Sequence, residues 1–359
     1  MKNLLKPVLY IIPVSISLWP LVTLAGVLNL NWNAHLLIAV PVFLFLITPL
    51  LDTIWGEDNE IDPEIPKQSF LHWYYRALPL LCVPTYLLLI CSSPWVINLD
   101  SLTAINKLEY LFSVGILGGV IAINVAHELI HRTSSVERFC GGLLLSTVTY
   151  AGFKVEHIRH HHVLVATPLD PASSYRNQNL YHFVLQGLIL NPINAFKIEA
   201  MRLRKKNLPI VSLHNELIGW YLLSFLICLS YWWLAGWTGV GAFVFQSILG
   251  AGLLESVNYI EHYGLSRNKT ENDRWEKVKP CHSWNSNVYW SSIYLFQLPR
   301  HSDHHQLASR HYFELELHRG APQLPHSYPS MVLLAYLPPL WFSVMNPILD
   351  EYIHKSSES

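Results

Sequence analysis

The chain has 359 residues, 51% of them apolar and only 14% charged; a water-soluble domain carries about 25% charged residues, so this one lacks the charge to clothe a solvent-facing surface. Its 24 basic residues are matched by 25 acidic ones, which removes any electrostatic drive toward nucleic acid. The 13 Trp, 18 Tyr and 14 Phe exclude a disordered chain and suit a membrane–water interface.

Apolar runs of roughly 20 residues, the length that crosses a bilayer, lie at about 8–28, 34–55, 77–97, 108–126, 217–234 and 240–257. The first carries Lys2 and Lys6 but no small-residue cleavage site, and more runs follow, so it reads as a span and not as a signal peptide. Shorter runs near 140–153, 183–190 and 331–345 are too short to cross and read as buried, re-entrant or interfacial pieces. Six spans put both termini on one side. The turns on the other side hold one basic residue, Lys107, and the other 23 of the 24 Lys and Arg fall on the terminal side. The positive-inside rule makes that side cytoplasmic, in a membrane such as the bacterial inner membrane. The expectation is an all-α integral membrane fold, one domain over 1–359. Six transmembrane helices carry a cytoplasmic-side histidine-rich cap built from 127–214 and 258–330.

Five cysteines, none paired as C-x-x-C, leave no built-in cysteine zinc or rubredoxin site. The 19 histidines are the outlying figure. His127 and His131 end the fourth run. His157, His161 and His162 follow the short run ending at Lys154, His262 leaves the sixth run, and His301, His304 and His305 come later. Side chains three or four apart share a helix face, so each segment can bring imidazoles to one place. Neutral imidazole is the commonest metal ligand. Nine clustered imidazoles exceed what one ion takes, so two ions are the simpler account, and nitrogen donors suit iron, zinc or copper. Glu128, Glu156, Glu261 and Asp303 each adjoin a candidate ligand and are natural partners for its second ring nitrogen. Asp170, beside Pro171, reads equally as such a partner or as a turn residue.

His127-Glu128-x-x-His131 alone would suggest a zinc peptidase with Glu128 as base, but three ligands leave the other clusters unexplained. A metal transporter would place its polar residues near the bilayer midplane, whereas these lie at the ends of spans. The remaining ten histidines read as surface or hydrogen-bonding residues, with His160 and His282 nearest to the clusters. The basic run 202–206 reads either as an anchor for anionic headgroups or as a dock for an acidic electron carrier.

These segments together resemble the integral-membrane alkane monooxygenase (alkane hydroxylase) family of the membrane di-iron histidine superfamily, which includes fatty acyl desaturases. The three boxes H-x-x-x-H, H-x-x-x-H-H and H-x-x-H-H are shared loosely across that superfamily. NYIEHYGL (258–265), RHSDHH (300–305), VATPLDPASS (165–174), SWNSN (283–287) and PQLP (322–325) are more specific to the hydroxylase branch. The resemblance runs from LLDTIWGED near Leu50 to SVMNP at Ser343. It implies two histidine-ligated non-haem irons held by His127, His131, His157, His161, His162, His262, His301, His304 and His305. Glu128 and Asp303, which adjoin these positions, are the candidate catalytic carboxylates. The implied reaction is O2-dependent terminal hydroxylation of a medium or long n-alkane, with electrons from NAD(P)H through a separate reductase and rubredoxin. A fatty acyl desaturase or ω-hydroxylase and an aromatic methyl hydroxylase remain the nearest rivals. The sequence departs from the family at His160 (usually Gly), Pro299 (usually Gln) and Cys281 (usually His), and none of these removes a ligand. A side chain near Leu44 or Phe45, in a stretch flanked by Pro41 and Pro49, is expected to limit substrate length.

Overall fold

The structure is a computed structural model that describes residues 2–59, 65–318 and 320–358. It is helical throughout, with no β-strand beyond isolated bridges among the described residues. Among the described residues, five helices are long and apolar enough to cross a membrane. They are α1 (Leu5–Leu30), α2 (Ala34–Trp55), α3 (Phe70–Ile97), α4 (Ala104–Ile130) and α8 (Glu216–His262). Between α4 and α8 lie α5 (Ser135–Thr147), α6 (152–164) and α7 (Leu180–Lys205). After α8 come α9 (His301–Gln306), α10 (Tyr328–Ala335) and α11 (Pro338–Glu358).

The six apolar runs thus occupy five helices, because the last two share α8. The backbone of α8 leaves helical geometry at Ala235 and Gly236, where Gly236 adopts φ +61°, a conformation glycine reaches without a Cβ penalty. The chain reverses there. Gln246 Nε2 donates to the Tyr231 hydroxyl at 3.2 Å, although a straight helix would set those residues about 22 Å apart. Asn98 Nδ2 takes the carbonyl of Leu234 at 2.8 Å, where the first arm ends. The second arm packs on α4 through glycines. A Cβ at Gly250 would lie 3.1 Å from the Gly118 carbonyl carbon, the small-residue contact that lets two membrane helices approach closely.

Two short runs are longer elements than their sequence suggests. The run 183–190 is the first part of the 26-residue α7. This helix exposes Tyr181, Leu185, Ile189 and Ile193 at four-residue intervals and ends in basic residues. The run 331–345 is divided between α10 and α11, with Pro338 and Pro339 opening the second helix.

Two carboxylates, Asp52 in the last turn of α2 and Asp58 just beyond it, fasten the last histidine segment to the bundle. Asp52 accepts from Trp290 N (2.8 Å), Ser291 N (3.0 Å) and the Ser291 hydroxyl, capping the helix Tyr289–Tyr294 from a distant part of the chain. Asp58 pairs with Lys6 at 2.8 Å and Arg300 at 3.1 Å, all three buried. The 283–287 stretch completes the lock. Asn285 exchanges two bonds with Ser302, at 2.8 and 2.9 Å. Trp284 Nε1 donates to the Tyr263 carbonyl at 2.9 Å. His301 and His262 therefore stand on segments held to each other.

Candidate metal centre

Nine histidines meet where four segments converge: the C-terminal end of α4, α6, the end of α8, and α9. They form two groups, and within each group the potential ligand atoms lie within 4.8 Å of one another. The first group is His127, His131, His157, His162 and His304; the second is His161, His262, His301 and His305. These are the nine positions singled out in the sequence. The groups divide them five and four, and both the second and the third box are split between groups.

The split has a local cause. Residues 157–161 form one turn of π-helix, in which the bond runs from i to i+5. His157 is therefore partnered by His162, with Nε2 atoms 3.0 Å apart, instead of by His161 as regular helical spacing predicts. His161 turns to His305, at 3.2 Å between Nε2 atoms. In α9, His301 and His305 approach to 2.9 Å, while His304 faces His162 at 3.2 Å. His262 lies 3.3 Å from His301.

Ring nitrogens 2.9–3.3 Å apart have the edge spacing of donors around one ion, since bonds of about 2.1 Å at right angles put donors about 3 Å apart. Among the described residues, Nε2 of His127 and of His131 is buried with no hydrogen-bond partner, a costly arrangement unless something else is to be bound there. Burial, reinforced by neighbouring imidazoles, holds His131, His157, His162, His301, His304 and His305 well below the usual histidine range. They are neutral at physiological pH, the form that binds a metal. The donor set therefore fits two nitrogen-ligated transition-metal ions.

His161 differs through its partner. Its Nδ1 lies 2.9 Å from Asp170 Oδ2, and Asp170 also accepts from Ser173 Oγ at 2.6 Å and Ala172 N at 3.1 Å. Burial opposes charge on both groups, but their mutual attraction and these bonds win, so His161 is raised and Asp170 lowered. Asp170 is both the turn residue and the histidine partner that the sequence left as alternatives.

Glu128 and Asp303 stand outside both groups. Glu128 meets Arg132 at 3.5 Å, Tyr312 N at 3.4 Å and His311 Nδ1 at 3.4 Å. Asp303 is taken by Arg310 (3.0 and 2.9 Å), His318 (2.7 Å) and Glu316 N (3.0 Å). Adjacent helix positions point about 100° apart, so a residue beside a ligand faces another neighbour. Of the carboxylates adjoining a ligand, Glu261 does reach its group, with Oε2 3.3 Å from His301 Nε2. His160 turns away and bonds Glu156 at 3.0 Å, which raises it above the usual range. His282 is buried but bonds Lys279 N. In the basic run, Arg202 is bound to Glu199 at 2.7 and 2.5 Å, while Arg204, Lys205 and Lys206 are exposed.

A cavity inside the bundle is lined by His127 and His157 of the first group and His301 of the second, with Asn124, Asn258 and Glu261, and by Leu44, Phe45, Val120 and Leu253. Val120 and Leu253 lie about two helical turns before His127 and Glu261 on α4 and α8, so the aliphatic residues and the histidines line different ends. Leu44 and Phe45 belong to a π-helical turn over Phe43–Ile47. Pro49 offers no N–H to the Phe45 carbonyl, and Thr48 Oγ1 takes the Phe43 carbonyl at 3.0 Å. A second, apolar cavity shares Phe45 and Leu253 with the first and runs out to the exposed Val42, Leu46, Leu333 and Tyr336. Asn124 and Asn258 were not foreseen as cavity residues; the available signal was an amide beside a histidine box in an apolar run.

Residues 107–335 match the fatty acid desaturase family model. Alkane 1-monooxygenase 2 of Alcanivorax borkumensis is 44% identical over 313 residues, covering 86% of this chain and 82% of that protein. Alkane 1-monooxygenase 1 of Pseudomonas aeruginosa is 43% identical over 324 residues, covering 89% and 84%. The hydroxylase component of xylene/toluene monooxygenase from Pseudomonas putida is 30% identical over 238 residues, covering 66% and 62%. The chain therefore belongs to the alkane 1-monooxygenase branch of the fatty acid desaturase family.

Proposed function

We propose that this protein is an integral membrane monooxygenase that converts n-alkanes of medium or long chain to 1-alkanols with O2. The observation that carries the reading is the cavity. One end is formed by histidines of the metal-binding groups and the other by aliphatic and aromatic side chains, so it suits an unfunctionalised chain presented end-on.

His127, His131, His157, His162 and His304 would hold one iron, and His161, His262, His301 and His305 the other. Two irons so bound supply the one-electron chemistry that reduces O2 and attacks an unactivated C–H bond. The protein's own part is positional. The terminal methyl has the strongest C–H bond of an alkane, so selectivity for it comes from holding that end at the histidines. The apolar walls exclude water from the reaction. The Asp170 carboxylate fixes the tautomer and ring plane of His161.

The two arms of α8 each serve as a span, giving six crossings. The basic bias puts the termini and the histidine centre in the cytoplasm, where a rubredoxin supplied by its NAD(P)H-dependent reductase delivers electrons. Arg204, Lys205 and Lys206 are the exposed cations for that contact or for anionic headgroups.

Product analysis tests the reading. Membranes containing the chain are given rubredoxin, its reductase, NADH, O2 and a graded series of n-alkanes, a fatty acid and a methyl arene. The expected product is a primary alcohol from an alkane. An alkene or an arene methanol in place of it would move the chain to a sister activity.

A further inference from the structure

Glu255 is a carboxyl group to which the hydroxylase reading gives no task. It lies on the second arm of α8, two helical turns before His262, and is 2% exposed. The Tyr150 hydroxyl donates to its Oε1, and Asn258 Nδ2 donates to Oε2 from 3.3 Å. Gly187 of α7 passes so close that a Cβ there would stand 2.4 Å from Oε2, so α7 covers the group with backbone alone. Among the described residues, both of its hydrogen-bond partners are neutral and no lysine or arginine pairs with it. The other titratable groups whose field reaches it are Glu156 on α6 and His161. A buried carboxylate without a cation is expensive, and an ionisable residue kept inside the membrane is a functional candidate by default.

Its location suggests the task. Leu254, Val257 and Asn258 line the reaction cavity, so Glu255 stands one hydrogen bond behind the wall. Hydroxylation follows R–H + O2 + 2e⁻ + 2H⁺ → R–OH + H2O. A reduced carrier protein supplies the electrons. The two protons must enter a cavity whose walls are mostly hydrocarbon. Resting on the hydroxylase reading, we propose that Glu255 is the proton store for this cavity. Its carboxyl O–H breaks, and the proton passes into the cavity beside Asn258, whose Nδ2 only donates to the carboxyl, and reaches the oxygen atom that leaves as water. The carboxylate left behind is held by the Tyr150 hydroxyl and the Asn258 amide until Tyr150 gives its own proton to Oε1 and is reprotonated by water.

The test uses the purified full-length protein and the variants Glu255→Gln and Glu255→Asp. In the infrared spectrum, the wild type at neutral pH should show a protonated-carboxyl stretch that shifts in D2O and is missing from Glu255→Gln. In turnover with alkane, Glu255→Gln should lose at least tenfold in kcat with KM and bound iron unchanged and with a larger solvent isotope effect. Glu255→Asp should recover most of the rate. The proposal is overturned if the wild type lacks that band, if Glu255→Gln turns over normally, or if its lost rate is accompanied by lost iron and early unfolding, the pattern of a structural strut. A wild type that makes no alcohol would sink the hydroxylase reading instead, while the infrared arm still reports on Glu255.

Discussion

Asp170 Oδ2 lies 2.9 Å from Nδ1 of His161, and both side chains are buried. The contact fixes which ring nitrogen of His161 turns to the second histidine group. Replacing Asp170 by Asn keeps the shape and removes the charge. Partners of this kind are worth about 10–100-fold in metal affinity. Asp170→Asn should therefore lose iron to a chelator far faster than the wild type, with unchanged helical content by circular dichroism. Equal iron retention would show that the bond does not set affinity.

The five-and-four division predicts separable losses. His127→Ala and His262→Ala remove one donor from different groups. Each should lower bound iron from about two per chain toward one, and each should abolish alcohol formation. His160→Gly removes a ring that bonds Glu156 and should keep both irons and most of the activity. Elemental analysis of the three purified variants separates these outcomes. Full iron in His127→Ala would refute its place in the first group.

Leu44 is 1% exposed at the far end of the reaction cavity. Trp in its place would fill space that the tail of a long substrate needs. Leu44→Trp should shift the preferred alkane to shorter chains while leaving the oxidation of short ones intact. Competition between alkanes of graded length reads this directly, and an unaltered length profile would place the limit elsewhere.

Asp58 joins Lys6 and Arg300 in a buried cluster. Asp58→Ala would leave two buried cations without that carboxylate, a change that costs about 3–5 kcal/mol when a buried pair is broken. Because Arg300 directly precedes His301, thermal unfolding should come earlier and iron should be held less firmly. A melt indistinguishable from the wild type would mean that the cluster contributes little.

Much of this arrangement is legible in the sequence, because the histidine boxes lie at the ends of apolar runs and all nine rings converge as their clustering suggests. What is not legible is the pairing within the boxes. His157 and His161 read as an i,i+4 pair until a π turn hands His157 to His162. Nor do the contacts of Asp52 and Asp58 follow from the residues around them in sequence, since Trp290, Ser291 and Arg300, which they bind, lie more than 200 residues away. Glu128 and Asp303 read as carboxylates beside ligands, yet Arg132 and Arg310 hold them elsewhere. Local pattern places residues on elements, and it is the long-range ion pairs and amide bonds that decide which way each one faces.

The π turn at 157–161 also bears on how this protein tolerates insertions and deletions. A π turn is an α-helix with one extra residue accommodated without a break in the hydrogen-bonded ladder. Deleting one residue there would let the segment relax into regular α-helix while the residues beyond it keep their face, because the π turn is where the extra residue is absorbed. His157 and His162 would then stand four apart and still share a face, whereas His161 would lose the offset that turns it to His305. The extra residue is thus what lets one helical segment serve two ions: without it the His157–His162 pair survives, and the hand-over of His161 to the second group does not.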